Sequence, residues 1–296
     1  MDREQAAAVQ RMQDFIDDHL TAPISMRQLA DAAGYSPSHA AHIFKELTGD
    51  APFDYLRRKR LSAAALRLRD GDDRVIDVAL DFLFNSHEGF TRAFHREFGL
   101  PPKRYQQQTP PVWLYQSYSS LDYYQHLHSK EALTMAGKVT TQLIDFPDRK
   151  ILLKRAKHAA DYFAYCDEVG CDVWGLLVSV KEALNEPMGL WLPESMRAGG
   201  SEYAQGVQLP ADYAGEVPEG FSLIDAPACR MLVFQGEPYD DASFGAAIAA
   251  ATEAIDAFDP ATIGYRFATD EQPRFQFEPQ GWRGYIEGRP VRPLDR

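Results

Sequence analysis

Cysteine is scarce: Cys166, Cys171 and Cys229 are the only three in 296 residues. So few, and an odd number, cannot frame a disulfide scaffold; they fit reduced thiols in a cytoplasmic protein. No apolar run approaches the ~18–20 residues that span a bilayer, so no membrane partner is expected. The opening MDREQAAAVQRMQDF lacks the basic and apolar regions of a secretory signal. There is no Gly-rich phosphate loop, no HExxH and no GxSxG, and no His or further Cys pair accompanies Cys166 and Cys171. No cofactor, metal or familiar nucleophile is therefore expected. A basic surplus is missing too. The 31 Lys and Arg face 43 Asp and Glu, a net charge of −12, which taken globally argues against nucleic acid as a partner.

The charge that is present is unevenly placed. Residues 1–108 hold 15 Lys/Arg and 16 Asp/Glu, whereas residues 109–296 hold 16 and 27. Five of the eight histidines (His19, His39, His42, His87, His95) lie in the first part. The length suits two domains, and the run Gln106-Gln107-Gln108-Thr109-Pro110-Pro111 stops helical periodicity because proline lacks an amide donor. We read residues 1–108 as an all-α domain, 109–136 as a connector that packs on one of the domains, and 137–296 as an α+β domain.

The first part contains an internal repeat. Phe44, Gly49, Pro52 and Tyr55 recur as Phe94, Gly99, Pro102 and Tyr105, which points to a duplicated supersecondary unit. In the first copy Ser25 and Gln28 form a capping box, Gly34 ends that helix, and Ser36-Pro37 starts a second one with Ile43, Phe44 and Leu47 inward. In the second copy a helix from Val75 leads through Phe82-Leu83-Phe84 to another capped near Ser86, with Phe90, Ala93, Phe94 and Phe98 inward. Helix, glycine turn, helix is a helix-turn-helix pattern. Pro52 to Gly71 reads as one long linker helix. Its run Arg57-Arg58-Lys59-Arg60 alone would be a solvated face; beside two such units it reads as phosphate contact.

Residues 1 to about 107 resemble the DNA-binding region of AraC/XylS-type transcription regulators. The resemblance rests on Leu29-Ala30, Gly34-Tyr35-Ser36, Phe44, Gly49, Pro52, Tyr55-Leu56 and Arg60, then on Phe94, Phe98-Gly99, Pro102 and Tyr105. It implies that the second helix of each unit enters the major groove, the two insertions one turn (~34 Å) apart. Base-reading roles then fall on Ser38, Ala41 and His42, and on His87, Glu88, Gly89 and Arg92; backbone contact falls on Arg57, Arg58 and Arg60. Arg92 can chelate guanine O6/N7 and Glu88 can accept from cytosine N4. One departure stands out: the family has Gly where Leu83 stands. Leu is costly at positive φ, so either the turn has changed shape or its helix runs on.

Beyond Val139 the pattern gives strands VTTQLIDF and KILLKRA, a helical region from about Asp161 to Leu184, and strands GLWLP and YAQGVQLP. The order then repeats as FSLIDAP, CRMLVFQG, a helix from Asp240 to Phe258, and strands in TIGYRFA, RFQFEP and WRGYIEGRPV. We expect two pseudo-symmetric β-α-β-β-type halves with a cleft between them. The segment resembles GyrI-like effector-binding domains through Asp161-Tyr162-Phe163, Gly189-Leu190-Trp191-Leu192-Pro193, Gly206-Val207, Val217-Pro218-Glu219-Gly220-Phe221, and Gly284-Tyr285-Ile286-Glu287 with Pro290-Val291. That resemblance implies an aromatic cleft with a buried Glu, binding hydrophobic and often cationic small molecules. Glu278 or Glu287 would be the acid, and Trp174, Trp191, Tyr203, Trp282 and Tyr285 the walls.

Together these readings describe a sequence-specific transcriptional regulator, not an enzyme. Its implied partners are promoter DNA, a small-molecule effector and RNA polymerase. The competing reading is a hydrolase or ligand-sequestering protein, with Glu287 and Tyr285 as the working pair and the DNA-binding module an accessory. A third makes the acidic domain a protein-docking surface without a pocket.

Overall fold

The computed structural model describes residues 3–117, 120, 139–240 and 243–294. The chain divides into two compact units, 1–129 and 130–296. The first is helical: α1 (Arg3–Asp18), α2 (Met26–Ala33), α3 (Pro37–Thr48), α4 (Pro52–Asp70), α5 (Val75–Asp81), α6 (His87–Phe98) and α7 (Pro102–Gln108).

The repeat is larger than its motif. Helices α3 and α6 are both 12 residues long, and α1 and α4 stand one repeat apart as well. The linker helix is thus also the first helix of the second copy. Gly49 and Gly99 end α3 and α6 at left-handed φ of 80° and 77°, and Pro52 and Pro102 open the helices that follow. The rings of Tyr55 and Tyr105, fully buried, pack against Phe44 at 5.1 Å and Phe94 at 5.6 Å. Around the first pair Met12 and Ile16 of α1 meet Leu29, Ile43 and Leu56 in one core. Each such side chain contributes roughly 1.5–3 kcal/mol on burial.

Both inter-helix turns are built alike. After α2, Gly34 N–H donates to Asp31 O and Tyr35 N–H to Ala30 O; after α5, Leu83 N–H donates to Leu80 O and Phe84 N–H to Ala79 O. Each is a complete Schellman motif. Gly34 holds the left-handed position at φ 75° and Leu83 holds the same position at φ 62°. The turn has kept its shape despite the missing glycine, because two backbone hydrogen bonds hold it. Leu83 is 39% exposed, so trimming it removes little burial. Leu83→Gly is expected to stabilise the first unit by about 0.5–1 kcal/mol, since glycine meets no Cβ clash there. The calorimetric transition of that unit should rise by a few degrees; a fall would show that the leucine side chain matters more than its backbone strain.

The start of the connector belongs to the helical unit. Tyr115 N–H donates to Ser62 Oγ (2.7 Å) and its hydroxyl to Asp50 (2.9 Å). Its ring packs edge-on to Tyr55 at 5.3 Å, and Ser120 Oγ donates to buried Gln13 at 2.9 Å. Most of the rest of the expected connector, 118–119 and 121–136, lies outside the described residues.

The second unit is one antiparallel sheet: β1 (Val139–Phe146), β2 (Arg149–Arg155), β3 (Met188–Trp191), β4 (Tyr203–Pro210), β5 (Ser222–Ala226), β6 (Cys229–Gly236), β7 (Tyr265–Phe267), β8 (Arg274–Phe277) and β9 (Ile286–Pro293). The order β1-β6-β9-β8-β3-β4-β2-β5, with β7 also on β9, mirrors itself about the β3–β8 pair. The two halves therefore form a continuous sheet, and each half's first strand, β1 or β5, has crossed to the far edge of the other. Helices α8 (Tyr162–Val169) and α9 (Val173–Ser179) pack on Leu152, Val207 and Leu209, while α11 (Phe244–Asp256) packs beside Leu232, Phe234 and Val291. The short α10 (Glu194–Arg197) follows β3.

Several boundaries differ from the sequence reading. The first helical region stops at Ser179, and Leu184 N–H instead bonds Gln208 O at the end of β4. Asp259 caps a 3-10 turn over Pro260–Ile263, leaving only three residues of TIGYRFA to pair as a strand. Arg283 and Gly284 N–H groups both return to Gln280 O, so Trp282 lies in a turn and β9 starts at Ile286.

Candidate nucleic-acid interface and effector cleft

Helices α3 and α6 bury one side only. On α3, Ala40, Ile43 and Phe44 face the core, Ser38 and His42 are exposed and Ala41 is half-buried. His42 stands 3.8 Å from Glu46 one turn on. On α6, Phe90 and Phe94 are buried while His87, Glu88 and Arg92 are exposed; Gly89 is half-buried, its N–H donating to the capping Ser86 Oγ at 3.0 Å. The same faces carry Lys45 and Arg96, both exposed, which the sequence reading passed over. Helical spacing from His42 and Arg92 would have found them.

The basic run of α4 is largely occupied within the molecule. Arg58 donates to Glu97 at 2.9 Å and Asp50 at 3.1 Å, with its guanidinium 4.0 Å above the Tyr115 ring. Lys59 pairs with Asp17 at 2.8 Å, and Arg60 donates to the carbonyls of Leu20 and Ala22 at 2.8 and 2.7 Å. Arg57 pairs with Asp54 at 3.2 Å on the surface. Farther along, Arg67 bridges Asp73 and Asp81, and Arg69 and Arg74 pair with Asp70 and Asp77. Arg58 and Arg60 are thus braces that tie α4 to α6 and to the loop that follows α1. Acidic side chains cluster where α4 needs them. Among the described residues, Arg27 of α2, Lys45 of α3 and Arg92 and Arg96 of α6 have no acidic partner; nor have Arg3 and Arg11 of α1 or Lys103 and Arg104 of α7, and Asp31 of α2 and Glu88 of α6 have no basic one.

In the second unit, cross-strand partners place Phe234, Glu287, Gln276, Gly189 and Gln205 in one row, on the side that α11 covers. Two residues along, Arg289, Arg274 and Trp191 line a cavity of about 520 Å³ with Phe267 and Pro193. Glu287 is 1% exposed. Its Oε2 accepts from the Tyr285 hydroxyl at 2.8 Å and its Oε1 from Arg289 Nε at 2.6 Å. Arg289 also pairs with Asp256 at 2.6 Å. Burial, then the neighbouring Glu287 charge, push the Tyr285 hydroxyl far above the usual tyrosine range, so it remains a donor. Arg274 stands 3.6 Å from Glu287 and 4.0 Å above the Trp191 ring, whose Nε1 donates to Ala160 O. Tyr203 meets Trp191 edge-on at 5.0 Å.

Glu287 and Tyr285 are therefore neighbours, as are Trp191 and Tyr203, but of the four only Trp191 lines the cavity. Glu278 stands apart, exposed beyond the end of β8. Trp282 is 75% exposed, and Trp174 is half-buried on α9 outside the lining of the cavity. A second internal repeat marks this site and went unread: Tyr203-Ala204-Gln205-Gly206 recurs as Tyr285-Ile286-Glu287-Gly288, on strands β4 and β9 that the mirror order of the sheet relates. Among the described residues no group of three His, Cys, Asp or Glu side chains could hold a metal ion, and no helix is long and apolar enough to cross a membrane.

Residues 29–108 match the helix-turn-helix domain family. The Right origin-binding protein of Escherichia coli K12 is 36% identical over 110 residues, 37% of each chain. Multiple antibiotic resistance protein MarA of Salmonella typhimurium is 29% identical over 100 residues, 34% of this chain and 79% of that one. The first-named relative is thus matched over little more than a third of its length. The solved structure of SAV2435 bound to tetraphenylphosphonium is 14% identical, covering 52% of this chain and 94% of that one at a TM-score of 0.33, a likeness too slight to carry any inference. The helical unit thus holds a helix-turn-helix domain.

Proposed function

We propose that the protein is a transcriptional regulator that binds promoter DNA through α3 and α6 and whose second unit, GyrI-like in the order of its elements, senses a small molecule. One observation carries the reading. Two equivalent helices, each following the same Schellman turn, expose polar faces that carry Lys45, Arg92 and Arg96 without acidic partners, while the basic run of the linker helix is paired within the molecule. Arg92 is the best placed of these to read a guanine, with Ser38, His42, His87 and Glu88 beside it and Ala41 at most a methyl contact. Lys45, Arg96 and Arg27 take the phosphate role that the α4 run loses to intramolecular pairing; Arg57 keeps a share from the surface. RNA polymerase is the second macromolecular partner in this reading.

The second unit binds and does not turn over its ligand. Both oxygens of Glu287 are engaged by Tyr285 and Arg289, and Glu287 is not among the residues that line the cavity.

Selection of bound sequences from a random duplex pool, followed by titrations of selected and scrambled duplexes across salt, tests the DNA-binding part. The selected duplex should bind at least ~10³-fold more tightly. With a handful of free cations per unit, the logarithm of affinity should fall with that of salt at a slope of about −3 to −5. Equal affinity for both duplexes contradicts the reading.

A further inference from the structure

The cleft departs in charge from what a cation-binding pocket needs. The buried carboxylate is already met by the chain's own cations: Arg289 at hydrogen-bond distance and Arg274 at 3.6 Å. The aromatic face that would receive a cationic ligand is likewise taken, by the Arg274 guanidinium 4.0 Å above Trp191. Arg274 itself differs from the other arginines of the cleft. Arg289 spends its donors on Glu287 and Asp256, and Arg197 donates to Leu192 O. The Arg274 guanidinium pairs only loosely, with Glu287 at 3.6 Å, is 30% exposed, and lines the cavity.

We propose that this cavity takes an organic acid: a carboxylate received by the Arg274 guanidinium, with an apolar or aromatic body against Phe267 and Pro193. The inference rests on the reading of the second unit as an effector-binding domain. Guanidinium donors form a rigid fork that matches a carboxylate in two parallel hydrogen bonds. The fork is held in advance, by the indole beneath it and by Glu287 behind it, so little rotamer freedom is lost on binding. The indole is fixed in turn through its bond to Ala160 O. Glu194, Glu202 and Asp270 also line the cavity, but all three are exposed, where water and salt screen them. The half-buried guanidinium acts through a drier environment and decides the sign of the ligand.

Isothermal titration of the full chain with 2-naphthoate and with 2-naphthylmethylammonium, a pair matched in shape and opposite in charge, tests the assignment. Naphthoate should bind, and at least ten-fold more tightly than the ammonium compound. Arg274→Gln should weaken naphthoate ten-fold or more, and Arg274→Lys, which keeps the charge but not the fork, should fall between. The melting profile of each variant shows whether the fold is retained. Tighter binding of the ammonium compound overturns the proposal, as does unchanged naphthoate affinity in Arg274→Gln or no naphthoate binding at all. DNA titrations with each compound present separate the two layers. An ammonium compound that binds and shifts DNA affinity removes the acid assignment and leaves the effector domain standing. DNA affinity indifferent to both compounds, with neither bound, removes both.

Discussion

Glu287→Ala is expected to cost the second unit about 3–5 kcal/mol, the usual result of breaking a buried ion pair by removing one partner. The wild-type carboxylate is 2% exposed and faces Arg289, itself 10% exposed, at 2.6 Å. Removing it strands the Arg289 Nε donor in a place water reaches poorly and leaves the Tyr285 hydroxyl its longer, 3.4 Å bond to Gln276, and an unmet buried donor bears its full desolvation cost. Asp256 still holds one end of Arg289, which keeps the loss at the lower part of that range. Glu287→Gln retains an acceptor for Tyr285 but not the charge, and should fall between. Calorimetry of the full chain separates the units: the transition of the second should drop by roughly 10 °C, and that of the first should not move. An unaltered second transition would mean that the carboxylate is free for a ligand and does not brace the fold.

Arg92→Ala should weaken binding to a selected duplex by about 1–3 kcal/mol, or about 5- to 150-fold, and flatten the preference at one base pair. Its effect on scrambled DNA should be no more than that of one lost phosphate neighbour. The contrast is Arg57→Ala, which should weaken every sequence alike and by less, because Arg57 already pairs with Asp54. Competition titrations with the two duplexes give both numbers. Equal losses on selected and scrambled DNA for Arg92→Ala would remove its base-reading role.

Much of the helical unit was legible because its signals are local. The capping box of Ser25 and Gln28, the αL glycines Gly34, Gly49 and Gly99, and the prolines at Pro37, Pro52 and Pro102 each state a helix end through chemistry within four residues. Duplication doubled those signals. What escaped reading depends on residues far apart in the chain. Arg58 meets Glu97 across 39 positions and Arg60 meets Leu20 across 40, so four adjacent basic residues gave no sign that three of them are held by distant parts of the chain. Leu83 showed a conflict between residue and turn, but only the paired hydrogen bonds to Ala79 and Leu80 settle which one yielded. In the second unit Glu278 and Glu287 looked equivalent as acids near strands. Position relative to the end of β8 and the middle of β9 separates them, and boundaries of short strands are what alternation reads worst. Trp282 was misplaced for the same reason. The neutralising arginines of the cleft come from β8 and β9 and converge only through sheet register.

Bipartite docking by α3 and α6 is tested most directly by hydroxyl-radical footprinting of the full chain on a selected duplex. Two protected segments about 10 base pairs apart on one face are expected, with Arg92→Ala weakening the segment under α6 and sparing the other. One short protected segment, unchanged in outline by Arg92→Ala, would contradict it.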